Sequence, residues 1–136
     1  MLEENSVGDF VENVIFEFYI GDTYTRDIII SGYSENIDNV FFTVKKNVGD
    51  KNFVLQKTLG DGIELTDIVY DDDGTTILSR TYNVLLNAND TENMKPDTEY
   101  VFDFEIVTNE TSDDIKKTVM TGIVNLKNAA TRVYNE

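Results

Sequence analysis

The stretch Lys95-Pro96-Asp97-Thr98-Glu99-Tyr100-Val101-Phe102-Asp103-Phe104-Glu105-Ile106 constrains this chain more than any other. The single proline opens a turn, and strict alternation follows. Tyr100, Phe102, Phe104 and Ile106 share one side, while Asp103 and Glu105 share the other. Successive side chains of a strand point to opposite faces, so a period of two with acids on one side predicts a half-buried β-strand. Tyr100 stands at the start of that strand, directly after the turn. There its ring can pack in the core while its hydroxyl ties down the crossing loop, the arrangement called a tyrosine corner.

The rest of the chain reads the same way. Val14 to Ile20 predicts a first strand, and Gly21-Asp22-Thr23 a turn. Arg26 to Ser31 predicts a second strand whose β-branched run Ile28-Ile29-Ile30 is buried on both sides. A polar loop from Gly32 to Asn39 precedes Val40-Phe41-Phe42-Thr43-Val44-Lys45-Lys46, with Val40, Phe42 and Val44 on one face. Asn47 to Asp50 reads as a hairpin turn, Phe53 to Leu59 as the return strand, and Gly60-Asp61-Gly62 as another turn. Ile63 to Tyr70 and Thr76 to Leu86 are strands around Asp71-Asp72-Asp73-Gly74, whose Asp-Gly pair marks a tight hairpin. On the second of these, Leu78, Tyr82, Val84 and Leu86 share a face. Asp90 to Lys95 is the best helical segment, one turn before the proline. Asn109 to Asp114 is a polar turn, and Lys116 to Leu126 closes the domain, with Gly122 marking a bulge or a close backbone approach.

About eight short strands with regular turn signals predict an all-β chain. With the tyrosine at the corner, the expected architecture is an immunoglobulin-like antiparallel β-sandwich of about 7–8 strands. The expected core is Phe16, Phe18, Ile28, Ile30, Phe42, Val44, Tyr82, Val84, Tyr100, Phe102, Phe104 and Val124. Residues 1–13 lack a period and carry Glu3, Glu4, Asp9 and Glu12, so the domain organisation is an N-terminal arm, 1–13, followed by the sandwich domain, 14–136.

The residue inventory removes whole classes of chemistry. With no cysteine and no histidine there are no disulfides, zinc-finger sites or His-based triads. The 26 acidic against 11 basic residues give a net charge of −15, which repels phosphate backbones and anionic lipid. Nucleic acid and membranes are therefore not expected partners. The opening residues Met1-Leu2-Glu3-Glu4-Asn5 are acidic and polar, so neither a signal peptide nor a membrane span is expected.

The remaining constellations are weak. Asp71-Asp72-Asp73 is oxygen-rich, as calcium requires, but with Gly74 at the sixth position of an EF-hand loop Val69 falls at the first and Arg80 at the twelfth. A solvated turn is the better reading. Asp103 and Glu105 could be a pair of glycosidase carboxylates, yet such groups face each other across a cleft, whereas these share one strand face and are expected to meet water. Lys45, Lys46, Lys51 and Lys57, beside Phe41 and Phe53, form the one basic cluster. In so acidic a chain it reads as a local counter-patch or a subunit contact rather than a site for single-stranded nucleic acid. Tyr24, Tyr33 and Tyr134 near turns read as scattered surface aromatics. No catalytic, cofactor-binding or metal-ligating residues are expected, and no cofactor.

Several segments, in order, resemble a known family. They are Gly21-Asp22-Thr23, Val40 to Lys46, Leu55-Gln56-Lys57-Thr58-Leu59, Asp90-Thr91, Tyr100 to Ile106, and Thr121-Gly122-Ile123-Val124 leading to Thr131-Arg132. The set resembles the immunoglobulin-like N-terminal domain of phage baseplate upper proteins and related small virion proteins, over roughly residues 14–134. The resemblance implies a non-enzymatic structural protein of the bacteriophage virion. It would be synthesised in the bacterial host cytoplasm and assembled as a homo-oligomer with other virion proteins of the baseplate, tail or capsid. Baseplate upper proteins continue into a long C-terminal region, whereas this sequence stops at Glu136, which favours a stand-alone accessory or capsid decoration subunit. Lys95 to Tyr100 is also similar to the segment before the sixth strand of fibronectin type III domains, but with no tryptophan in the chain this is shared sandwich physics. The alternative expectation is a carbohydrate-binding or adhesion module on a virion or cell surface, which needs exposed aromatics clustered at one loop end. A glycoside hydrolase fragment is a third, resting only on the acids.

Overall fold

The computed structural model describes residues 6–7, 11–33, 36–92, 94–109 and 114–128. They form β1 (Ser6–Val7), β2 (Val11–Tyr19), β3 (Tyr24–Ser31), β4 (Ile37–Lys45), β5 (Leu55–Leu59), β6 (Gly62–Tyr70), β7 (Ile77–Leu86), α1 (Ala88–Thr91), β8 (Thr98–Asn109) and β9 (Asp114–Lys127). The described residues are all-β apart from one helical turn. The nine strands make a single mixed sheet in the order β1-β3-β7-β6-β5-β4-β8-β9-β2. Most pairs are antiparallel; β1 with β3, β2 with β9 and β5 with β6 are parallel.

The β5–β6 link is short, two residue pairs at Thr58–Gly62 and Leu59–Ile63. It joins β1-β3-β7-β6 to β5-β4-β8-β9-β2, and the sheet curls until its ends share one interior, close to a barrel. Contacts between residues far apart in strand order show the curl. Phe18 of β2 stacks on Tyr24 of β3 at 4.4 Å, and the Arg26 guanidinium of β3 lies 4.6 Å above the Phe16 ring. β2 and β3 are consecutive yet not paired. A tight corner between them, closed by the Asp22 N–H donating to the Tyr19 carbonyl at 3.2 Å, sends the chain from one end of the sheet to the other.

The alternation read from the sequence is the pattern of burial. Each residue expected in the core is buried, and Val40, Ile63, Leu86, Met94, Ile106, Met120 and Leu126 join them. Phe16 lies 4.7 Å from Phe102 and 6.0 Å from Phe42, and Tyr82 meets Phe104 at 6.3 Å. The Tyr100 hydroxyl accepts the Lys95 N–H at 3.0 Å, so the expected corner bond is made. Asp97, after the proline, takes a φ of 55° and donates its N–H to the Leu126 carbonyl. At Gly122 a Cβ would overlap the Val14 carbonyl oxygen and stand 2.8 Å from the Phe102 ring, so glycine is required by the close approach of β2 to β9.

Several expectations need correction. Ile28 and Ile30 are buried but Ile29 is only half-buried, because it faces outward on β3. Leu78 is 49% exposed, and Arg80 takes the place in the buried row of β7. The Arg80 guanidinium donates to the Tyr33 carbonyl at 2.8 Å, which lets a charged side chain stay inside. Burial pushes the Tyr82 phenol up, against the opposing pull of Arg80. The helical turn is Ala88–Thr91, starting two residues and ending four residues earlier than expected, since the Asn87 N–H donates to Asp90 Oδ2 at 2.7 Å and starts it there. Within the expected arm, Ser6–Val7 form β1 and residues 11–13 open β2; residues 1–5 and 8–10 lie outside the described residues, as do 110–113 of the last polar turn.

Candidate interaction surface

Strands β2, β9, β8 and β4 bury one face and present the other. Register places Ile15, Ile123, Val101 and Lys45 in one row across the outer face, with Thr121, Asp103 and Thr43 in the next. Ile15 is 56% exposed, and Val48 on the neighbouring turn is 85% exposed. That turn is held by the Asp50 carboxylate, which accepts the Asn47 N–H at 3.0 Å. Between the turn and the strands runs an open groove of about 420 Å³ with a mainly apolar lining. Past Lys45 and Asp103 it continues into a second hollow of about 280 Å³, bordered by Phe41, Phe53, Lys51 and Lys116. The outer face is thus a trough with an apolar end and an aromatic, charged end at which Lys45, Lys51 and Lys116 outnumber Asp103 and Glu105.

The electrostatics follow from the same packing. Partial burial pushes the Asp103 carboxyl up from its ordinary range, and the Lys45 ammonium pulls it partly back. Asp103 and Glu105 do not converge on one another across a cleft; they form part of the trough wall and are half-buried rather than fully in water. The expected lysine cluster is divided. Lys45 and Lys51 border the trough and are joined there by Lys116. Lys57 instead forms an ion pair with Asp90 at 2.8 Å, and Lys127 pairs with Glu17 at 3.2 Å. Lys116, Val101 and Ile123 also line the trough, although no motif in the sequence marks them. The one signal is that Val101 and Ile123 are apolar residues at outward positions of half-buried strands.

A second exposed apolar surface lies on the β6–β7 hairpin. Beyond Ile63, β6 leaves β5 and is paired among the described strands only with β7, which itself stays paired with β3 as far as Ser79; β6 is therefore an open sheet edge, and this edge with the hairpin tip forms an arm. Leu65, Val69, Tyr70 and Leu78 on it are 38%, 45%, 49% and 49% exposed. Asp67, Asp72 and Asp73 are exposed beside them. Asp71 has a structural task at the tip: its Oδ1 accepts the N–H groups of Thr75 at 3.1 Å and Thr76 at 3.3 Å, and these bonds hold its carboxyl below the usual range. Among the described residues no group of three or more acidic side chains is arranged to hold a metal ion.

Tyr24 and Tyr33 pack against the core instead of gathering at a loop end, with Lys117 Nζ 5.5 Å from the Tyr33 ring centroid; Tyr134 lies outside the described residues. No protein-family model, curated protein or solved structure matches the chain.

Proposed function

We propose that this chain is an immunoglobulin-like β-sandwich that works as a non-enzymatic structural subunit of a bacteriophage particle. Its role would be that of an accessory or decoration protein of the baseplate, tail or capsid, binding neighbouring virion proteins. Two observations support the fold assignment. The orders β3-β7-β6 and β5-β4-β8-β9 correspond to strands B-E-D and C′-C-F-G of immunoglobulin domains. The Tyr100 corner then falls on the strand in the F position, where such domains carry theirs.

The observation that carries the assembly role is the pair of exposed apolar surfaces, trough and arm, on a chain of net charge −15. Contiguous apolar patches with polar rims mark interaction sites on otherwise soluble domains. The assignment to a phage particle follows from the ordered likeness over residues 14–134 to baseplate upper proteins. Mass spectrometry of purified particles of the phage encoding the chain tests it. The expected result is the intact protein at a fixed ratio to the major capsid or tail protein, resistant to salt washing. Absence from particles whose host lysate contains the protein in quantity would overturn the reading.

A further inference from the structure

We propose that copies of this chain associate head to tail, the β6–β7 arm of one copy seated in the trough of the next. This deepens, and rests on, the reading of the chain as an assembly subunit.

The two surfaces are complementary in both chemistry and charge. The trough offers Ile15, Val101 and Ile123 at one end and, toward the other, Lys45, Lys51 and Lys116, three cations against the two carboxyls of Asp103 and Glu105, which leaves that end net positive. The arm offers Leu65, Val69 and Tyr70 flanked by Asp67, Asp72 and Asp73. Three of only 11 basic residues border the trough, and the ion pairs that hold Lys57 and Lys127 do not involve them. On a chain of net charge −15, two copies approaching at random repel each other. Placing an acidic arm on the basic end of the trough replaces that repulsion with attraction while covering apolar surface on both partners. Arm against arm would set acids against acids, and trough against trough would leave the lysines that outnumber Asp103 and Glu105 facing one another.

The contact cannot close within one molecule. The trough is on the outer face of β2, β9, β8 and β4, and the arm extends from β6 and β7 in the other half of the curled sheet. In a head-to-tail contact each copy gives its arm to one neighbour and its trough to another, which is heterologous, so successive copies continue into a ring or a filament instead of stopping at a dimer.

The test is sedimentation velocity on the full chain from micromolar to millimolar concentration, with two charge-reversed variants. One carries Lys51→Glu and Lys116→Glu; the other carries Asp67→Lys and Asp72→Lys. All four positions are exposed, and unchanged urea midpoints establish that the variants fold. The wild-type chain is expected to grow beyond a dimer as concentration rises, and to do so less at high salt. Each variant alone is expected to associate roughly tenfold or more weakly. An equimolar mixture of the two recovers association, because each basic surface again finds an acidic one. A chain that stays monomeric at millimolar concentration would overturn the proposal. So would loss of association in the trough variant alone, which points to a different partner for that face, or a mixture that fails to recover. A monomer found in particles at fixed stoichiometry would overturn the head-to-tail contact and leave the virion assignment standing. Self-association by a protein absent from particles would do the reverse.

Discussion

β8 and β6 are both rich in large apolar residues, yet they meet opposite fates. β8 lies between β4 and β9, and its inner row of Tyr100, Phe102, Phe104 and Ile106 is buried throughout. β6 has β7 on one side, and past Ile63 nothing among the described strands pairs on the other. Register shifts between Leu65 and Asp67, and again between Val69 and Tyr70, break its alternation. Apolar residues of β6 therefore fall on both faces, at a sheet edge where no further strand among the described residues covers them, while β7 beside it keeps Arg80 and Tyr82 buried. Hydrophobicity set the tendency of each strand to be covered; the number of neighbours decided whether it was.

The comparison breaks most readily at Phe102, which stacks on Phe16 and meets Phe42 at a tilt. Phe102→Ala is expected to cost about 3–5 kcal/mol in urea denaturation. A loss as small as that of an arm residue would mean that β8 is no better packed than β6. Gly122→Ala comes next. Its Cβ meets the Val14 backbone, which cannot rotate away as a side chain would, so about 1–3 kcal/mol should be lost and β2 should exchange its amide hydrogens faster. Tyr100→Phe keeps the ring and removes only the acceptor of the Lys95 N–H, for an expected loss of about 1 kcal/mol; an unchanged midpoint would deny the corner its role.

The two perturbed carboxyls sharpen the contrast through pH. Asp71, on the arm, has its folded pKa depressed, so the stability it adds is present above the unfolded pKa and disappears as pH falls through the folded value. Asp103, on β8, has its folded pKa raised, so its charge works against folding at neutral pH, and that penalty fades on acidification through the raised value. Urea midpoints from neutral to acidic pH should therefore show Asp71→Asn less stable than wild type and Asp103→Asn slightly more stable, with both differences shrinking as pH falls. Matching signs would refute the assignment of environments. The smallest effect belongs to the arm: Val69→Thr should change monomer stability by no more than about 0.5 kcal/mol, although it removes surface the head-to-tail contact needs.

The sequence by itself determined the strands, most of the turns and the expected core. Alternation in β4, β7 and β8, the Asp-Gly and Gly-Asp turns, and the Tyr100 corner are local consequences of backbone pleat and turn chemistry, and the folded chain keeps them. What only the tertiary structure decided is which strands become neighbours. That choice buried Arg80 against the Tyr33 carbonyl, left Leu78 in solvent, drew Lys57 away to Asp90 and brought Lys116 to the trough. No periodicity records such outcomes, because a residue's final surroundings depend on segments far along the chain, and a period of two tells only which side of a strand a side chain leaves.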